Sequence, residues 1–202
     1  NNMFLSYDPK FIFVHIPKTA GTSISECLNT VARGKVERGC QKCAWDFHTT
    51  ARQFKHKLGY KQYNDSFTFS FVRNPWDWMY SWYSMHTQHQ KMKIEFKAWL
   101  MEYEHKMAKT FLEGEEVKAS QRRGQLDWLV DKDGKIIVDF IGRYETLDKD
   151  LDVIRDKLKI TKTLPVKNTS KRGSYKDAYD NEMIDFVYKY CEKDIKEFGY
   201  EF

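Results

Sequence analysis

Apolar and polar positions alternate with period two over Phe67-Thr68-Phe69-Ser70-Phe71-Val72, which predicts a β-strand over 67–72. Phe11-Ile12-Phe13-Val14-His15-Ile16 is a largely apolar run of β-formers and predicts a second, buried strand that Pro17 stops. Elsewhere the apolar positions recur every three or four residues, the period of a helix with one buried face. Ile24, Cys27, Leu28 and Val31 mark a helix from residue 22 to about 33. A helix over 49–58 ends at Gly59, a residue suited to the left-handed position after a helix. Asn74-Pro75 gives an N-cap and a first-turn proline to a helix reaching about residue 89. Further helices are predicted over 94–112, 147–158 and 181–198. Residues 126–130 and 136–141 flank Asp133-Gly134 and predict a short hairpin. Residues 34–45, with Gly34 and Gly39, lack any period and read as a loop; 167–176 is polar and basic.

The alternation of strand and helix predicts an α/β fold with a parallel core sheet. The 202 residues suit one domain spanning 1–202. A chain of that length buries roughly 70% of its unfolded surface, so it has no need of disulfide or metal staples. Aromatic residues make up 16%, which predicts a core leaning on Phe, Tyr and Trp. Trp76, Trp78, Tyr80, Trp82 and Tyr83 crowd one predicted helix; they read as packing before they read as a sugar-stacking platform.

Between the first strand and its helix lies Pro17-Lys18-Thr19-Ala20-Gly21-Thr22-Ser23. A strand feeding a short loop into a helix N-terminus makes an anion site, because unpaired backbone N–H groups and the helix dipole point at it. Gly21 lets the backbone approach a ligand, Thr19, Thr22 and Ser23 offer hydroxyls, and Lys18 offers a mobile positive charge. The order of residues argues against a nucleoside-triphosphate loop, in which the lysine follows the second glycine. Here Lys18 precedes Gly21. A second phosphate-binding pair is Arg73, just after the 67–72 strand, and Ser81 in the next helix. Residues 75 to 81 of a helix rise roughly 9 Å, so the two side chains would grip one phosphate from different angles, the arginine by its planar fork.

The net charge of +5 favours anionic partners, among them phosphates and acidic glycans. Of four cysteines, Cys40 and Cys43 form a CxxC, with no second ligand pair to complete a zinc site. They read as a loop disulfide or free thiols, and no metal is expected. No apolar run approaches the roughly 20 residues that span a bilayer, and no signal segment precedes the first strand. These features predict a cytoplasmic chain, or a Golgi-lumenal one if an anchor has been removed. Among the six histidines, His15 sits in the first strand and reads as a core residue. His48 precedes the 49–58 helix.

The motifs taken together resemble the sulfotransferase family. Phe13 to Ser23 looks like its 5′-phosphosulfate-binding motif. Phe71-Val72-Arg73-Asn74-Pro75 with Tyr80-Ser81-Trp82-Tyr83 looks like its 3′-phosphate-binding motif. The likeness extends to Phe140-Ile141-Gly142-Arg143-Tyr144-Glu145 and to Phe198-Gly199-Tyr200. It is nearest to the branch that sulfates carbohydrate hydroxyls, which includes the heparan and uronyl 2-O-sulfotransferases. The resemblance implies a P-loop-like three-layer domain with a central, mainly parallel sheet flanked by helices. It implies 3′-phosphoadenosine 5′-phosphosulfate (PAPS) as donor and a hydroxylated acceptor, a saccharide rather than nucleic acid. Pro17 to Ser23 would hold the 5′-phosphate, Lys18 would stabilise the leaving phosphate, and Arg73 with Ser81 would hold the 3′-phosphate. Lys171-Arg172-Gly173 is similar to a late loop that closes over the nucleotide, and a histidine at the place of His48 serves as base. A P-loop small-molecule kinase is the alternative.

Overall fold

The computed structural model describes residues 3–32, 36–38, 49–89, 93–103, 124–160 and 174–202. The strands are Met3–Tyr7 (β1), Lys10–Val14 (β2), Val36–Arg38 (β3), Phe67–Val72 (β4) and Phe140–Arg143 (β5). The helices are Gly21–Leu28 (α1), Ala51–Leu58 (α2), Tyr60–Asn64 (α3), Pro75–His89 (α4), Phe96–Ala98 (α5), Leu147–Leu158 (α6), Asn181–Tyr190 (α7) and Glu192–Phe198 (α8). The chain divides into two compact units, residues 1–73 with 128–170, and residues 74–127 with 171–202.

All five strands belong to the first unit and form one sheet in the order β3-β1-β2-β4-β5. β2, β4 and β5 run parallel, as expected for an α/β fold flanked by helices. β1 and β3 extend the sheet antiparallel at one edge. The parallel register sets Phe11 beside Phe67 and Phe13 beside Phe69, so alternate aromatic positions of both strands share a face. The Phe13 and Phe69 rings stack with centroids 5.3 Å apart. Onto this face α1 lays Ile24, Cys27 and Leu28, and α6 lays Leu147, Leu151, Ile154 and Leu158. Each large apolar side chain buried there contributes roughly 1.5–3 kcal/mol, which fixes α1, and therefore its first turn, against the sheet. Gly142 of β5 is needed for close packing: the Phe71 ring occupies the place a Cβ would take. On the opposite face of β4, Thr68 and Ser70 are polar, and their hydroxyls are buried with partners. The Asp139 carboxylate accepts from the Thr68 N–H and hydroxyl at 2.8 Å each, and the Ser70 hydroxyl donates to the Val14 carbonyl at 2.6 Å.

Several elements differ from the sequence expectation, among them β1 and α3, which the pattern does not predict. The stretch read as loop contains β3, a three-residue edge strand too short to show a period. The hairpin over 126–141 shrinks to one bridge between Val130 and Ile136. Its turn is organised by Asp131, whose carboxylate accepts from the N–H groups of Asp133 and Lys135, both at 3.0 Å. Beyond the turn the Asp139 N–H donates to Thr68, and the chain leaves the hairpin to become β5 beside β4. The helix over 181–198 is broken at Cys191, where φ −106° and ψ 25° leave the helical region. Met183, Val187, Cys191, Ile195 and Phe198 are all buried and stay in phase across the break, which hides it in the pattern.

The second unit is knit together by aromatic side chains. Asn74 caps α4 as expected, its Oδ1 accepting from the Trp76 N–H at 3.1 Å. Its amide donates to the Glu201 carbonyl at 2.8 Å. The Trp76 indole N–H donates to the Ile184 carbonyl, and the Trp99 indole N–H donates to His86 Nδ1 at 2.9 Å. Tyr80 and Tyr83 both pack on Phe96, with centroids 5.2 and 4.9 Å away. The crowded aromatics of α4 are thus used in packing. After α5 the predicted 94–112 helix widens into a π-helical turn over Trp99–Tyr103, and its remainder lies outside the described residues.

Candidate functional site

The loop predicted to hold phosphate runs from the end of β2 into α1, and its shape departs from an ordinary turn. Lys18 and Ala20 both have left-handed backbones, with φ 65° and 66°. For residues with a Cβ this costs of order 1 kcal/mol or more each, and it persists only where surroundings enforce it. Several contacts do so. The Thr19 hydroxyl, fully buried, donates back to the Ile16 carbonyl at 2.8 Å, which closes the turn. The Ile24 N–H donates to the Ala20 carbonyl at 3.1 Å and starts α1. Gly21 is the residue that the turn demands, because a Cβ there would fall inside the imidazole of His15. His15 itself is buried and stacks on Phe13, in keeping with a core role.

No side chain caps α1, since its N-cap is Ala20. The first-turn amides and the positive end of the dipole therefore face the loop without a side-chain acceptor supplied by the cap. Lys18 is half-buried, Thr22 is exposed and Ser23 is buried. Of the three hydroxyls expected to serve an anion, that of Thr19 is committed to the loop's own backbone.

Arg73 follows the last residue of β4, the middle one of the three parallel strands. Lys18 lies in the loop after β2 on one side, and Tyr144 follows β5 on the other. The topology thus gathers three side chains at the carboxyl ends of adjacent parallel strands, where open α/β sheets build their sites. The Arg73 guanidinium reaches both neighbours. Its Nη1 donates to the Lys18 carbonyl at 3.1 Å, and its Cζ lies 3.8 Å from the centre of the Tyr144 ring. Arg73 is only 4% exposed. Sequence reasoning named Arg73 and Lys18 but gave Tyr144 no role; the available signal was its place directly after a strand, within Arg143-Tyr144-Glu145.

Ser81 lies on α4 in the second unit and is buried. His48, Lys171, Arg172 and Gly173 lie outside the described residues, as do Cys40 and Cys43. Cys27 on α1 is buried, and burial pushes its thiol pKa up, with the nearby Arg155 opposing. A thiol so placed is packing rather than nucleophile. Among the described residues no three His, Cys, Asp or Glu side chains gather as metal ligands. A cavity of about 480 Å³ opens at the other end of β2, lined by Tyr7, Lys10, Tyr60 and Lys61 among others, away from the loop. No helix among the described residues is long and apolar enough to cross a membrane.

A strained strand–loop–helix turn with an uncapped helix end and a lysine within it marks a P-loop-like α/β fold, and a turn of this kind suits an anion. The comparisons narrow this class. A model of the sulfotransferase family matches residues 1–201, and the chain belongs to that family. No curated protein and no solved structure matches the chain significantly. Membership makes sulfuryl transfer the general reaction and does not favour the kinase alternative.

Proposed function

We propose that the protein moves the sulfuryl group of PAPS to a hydroxyl of a saccharide acceptor. The observation that carries this reading is the uncapped first turn of α1, shaped by left-handed Lys18 and Ala20, in a chain matched to the sulfotransferase family over 1–201. That match runs through segments of both units, which supports reading 1–202 as one sulfotransferase domain.

The roles follow from charge and position. The turn from Pro17 to Ser23 binds the 5′-phosphate through its amides and the hydroxyls of Thr22 and Ser23. Arg73 and Ser81 bind the 3′-phosphate, and Lys171-Arg172-Gly173 closes over the nucleotide. The acceptor oxygen attacks sulfur in line with the departing 3′-phosphoadenosine 5′-phosphate. A bond from acceptor oxygen to sulfur forms as the sulfur–oxygen bond to phosphate breaks. The acceptor proton passes to His48, and the negative charge released on the phosphate is met by Lys18 and the α1 dipole. A sulfuryl group carries less charge than a phosphoryl group, so this electrostatic set needs no metal.

The test is sulfate transfer from radiolabelled PAPS to a panel of saccharides, by wild type and by His48→Ala. We expect label on at least one saccharide, and a His48→Ala variant that still binds nucleotide but does not turn over. Labelling of only non-saccharide hydroxyls would overturn the acceptor class, and full turnover by the variant would remove His48 as base.

A further inference from the structure

We propose that Tyr144 is a positioning residue for the transfer site, holding Arg73 so that Arg73 fastens Lys18 in its left-handed backbone. The inference deepens the sulfotransferase reading and rests on it for the role of Lys18. Arg73 then carries two tasks: it is a ligand for phosphate and a brace for the loop that presents the lysine.

Strand order makes the brace possible. β4 is central between β2 and β5, so a side chain leaving its carboxyl end is within reach of the segments that succeed both neighbours. The guanidinium is planar and has donors along its edges, whereas its faces accept no hydrogen bond. Tyr144 covers a face at 3.8 Å, and Nη1 at the edge meets the Lys18 carbonyl at 3.1 Å. A ring under the guanidinium restricts tilt, and restricting tilt aims the edge. Holding the Lys18 carbonyl fixes the peptide plane between Lys18 and Thr19, at one of the two places where the loop's backbone is left-handed without glycine. A lysine ammonium at position 73 would supply charge but neither a flat face to stack nor a fixed edge. Tyr144 is half-buried and its contact is through the ring, so the phenolic oxygen is not required for the brace.

The experiment is amide hydrogen exchange across residues 18–24 of the unliganded full chain, with α2 amides as internal reference. We expect Tyr144→Leu to speed exchange in the loop by about tenfold, the scale of a desolvated cation–π contact, and to leave α2 unchanged. Tyr144→Phe should retain the wild-type protection. Arg73→Lys should expose the loop as Tyr144→Leu does, which keeps the test decisive if Tyr144→Leu folds poorly. Turnover kinetics supply a second readout: in Tyr144→Leu the donor KM should rise and kcat should also fall, because the lysine and the anion-binding amides share one loop. Unchanged loop exchange in Tyr144→Leu and Arg73→Lys, or a Tyr144→Phe variant as exposed as Tyr144→Leu, would overturn the proposal. If wild type fails to bind 3′-phosphoadenosine 5′-phosphate, the donor reading falls, while the exchange result still decides the brace.

Discussion

Helices α1 and α2 lie in the same unit and have eight residues each, yet they begin in opposite ways. α2 starts on Thr50, whose hydroxyl accepts from the Gln53 N–H at 3.3 Å, while the Gln53 side chain accepts from the Thr50 N–H at 2.8 Å. This capping box satisfies the helix end from within. α1 starts on Ala20, which has no side chain to offer, after a turn held left-handed at two residues. The structural helix closes its own end. The other begins after a strained turn with no cap side chain, and strain of this kind collects at ligand sites.

The largest effect that would sharpen this contrast comes from Lys18→Ala. Turnover should fall by about 100-fold or more, the scale for removing one preorganised charge-stabilising group. Nucleotide affinity should change much less, as measured by steady-state kinetics beside calorimetric binding. A loss confined to affinity would recast Lys18 as an anchor. Next is Gly21→Ala, which drives a methyl group into His15. Overpacking of this sort costs roughly 1–3 kcal/mol, so melting should drop by several degrees and the donor site should be distorted with it. A stable variant with intact donor binding would show that the close approach at Gly21 is dispensable.

A third way of satisfying backbone amides gives a pH test. Asp194 of α8 accepts from the Gln125 N–H at 2.6 Å and the Leu126 N–H at 2.9 Å, and it is buried. Burial raises its pKa from 3.8 to about 7 against the pull of those two donors. The folded state therefore binds a proton that the unfolded state releases at lower pH. The resulting stabilisation is full below about pH 4 and is lost as pH rises through about 7. Thermal melts across that window should show this decline, and Asp194→Asn should flatten it; an unchanged slope in the variant would assign the effect elsewhere. The smallest effect belongs to Thr50→Ala. It should cost about 1 kcal/mol, or roughly 2–4 °C in melting, with donor affinity unchanged. Weakened donor binding in Thr50→Ala would mean that the two helix ends are not separate in function.

Where the chain's local chemistry decides structure, it could be read directly. The alternating phenylalanines over 67–72, the Asn74-Pro75 start of α4 and the single apolar stripe of α6 all appear where their periods place them. The loop was legible by residue type, because glycine, hydroxyls and lysine between a strand and a helix suit an anion. Its conformation was not legible: nothing in Lys18 or Ala20 signals a left-handed backbone, which is imposed by contacts with Ile16, Arg73 and the start of α1. The stacking of Tyr144 under Arg73 escaped for a related reason. The two residues are far apart in sequence and meet only through the parallel pairing of β4 with β5. β3 is a three-residue edge strand and β1 pairs antiparallel between it and β2, so both depend on the strands beside them more than on their own pattern.

The central claim is that the turn after β2 binds a nucleotide with phosphates at both its 5′ and 3′ positions. The direct test is the melting temperature of the full chain with 3′-phosphoadenosine 5′-phosphate, AMP or ATP, each at the same concentration and without Mg²⁺. A ligand at about 100 times its Kd stabilises by roughly 2.7 kcal/mol, which for a chain of this size is several degrees. We predict such a rise for 3′-phosphoadenosine 5′-phosphate and little for AMP or ATP. Equal shifts from all three nucleotides would contradict the claim.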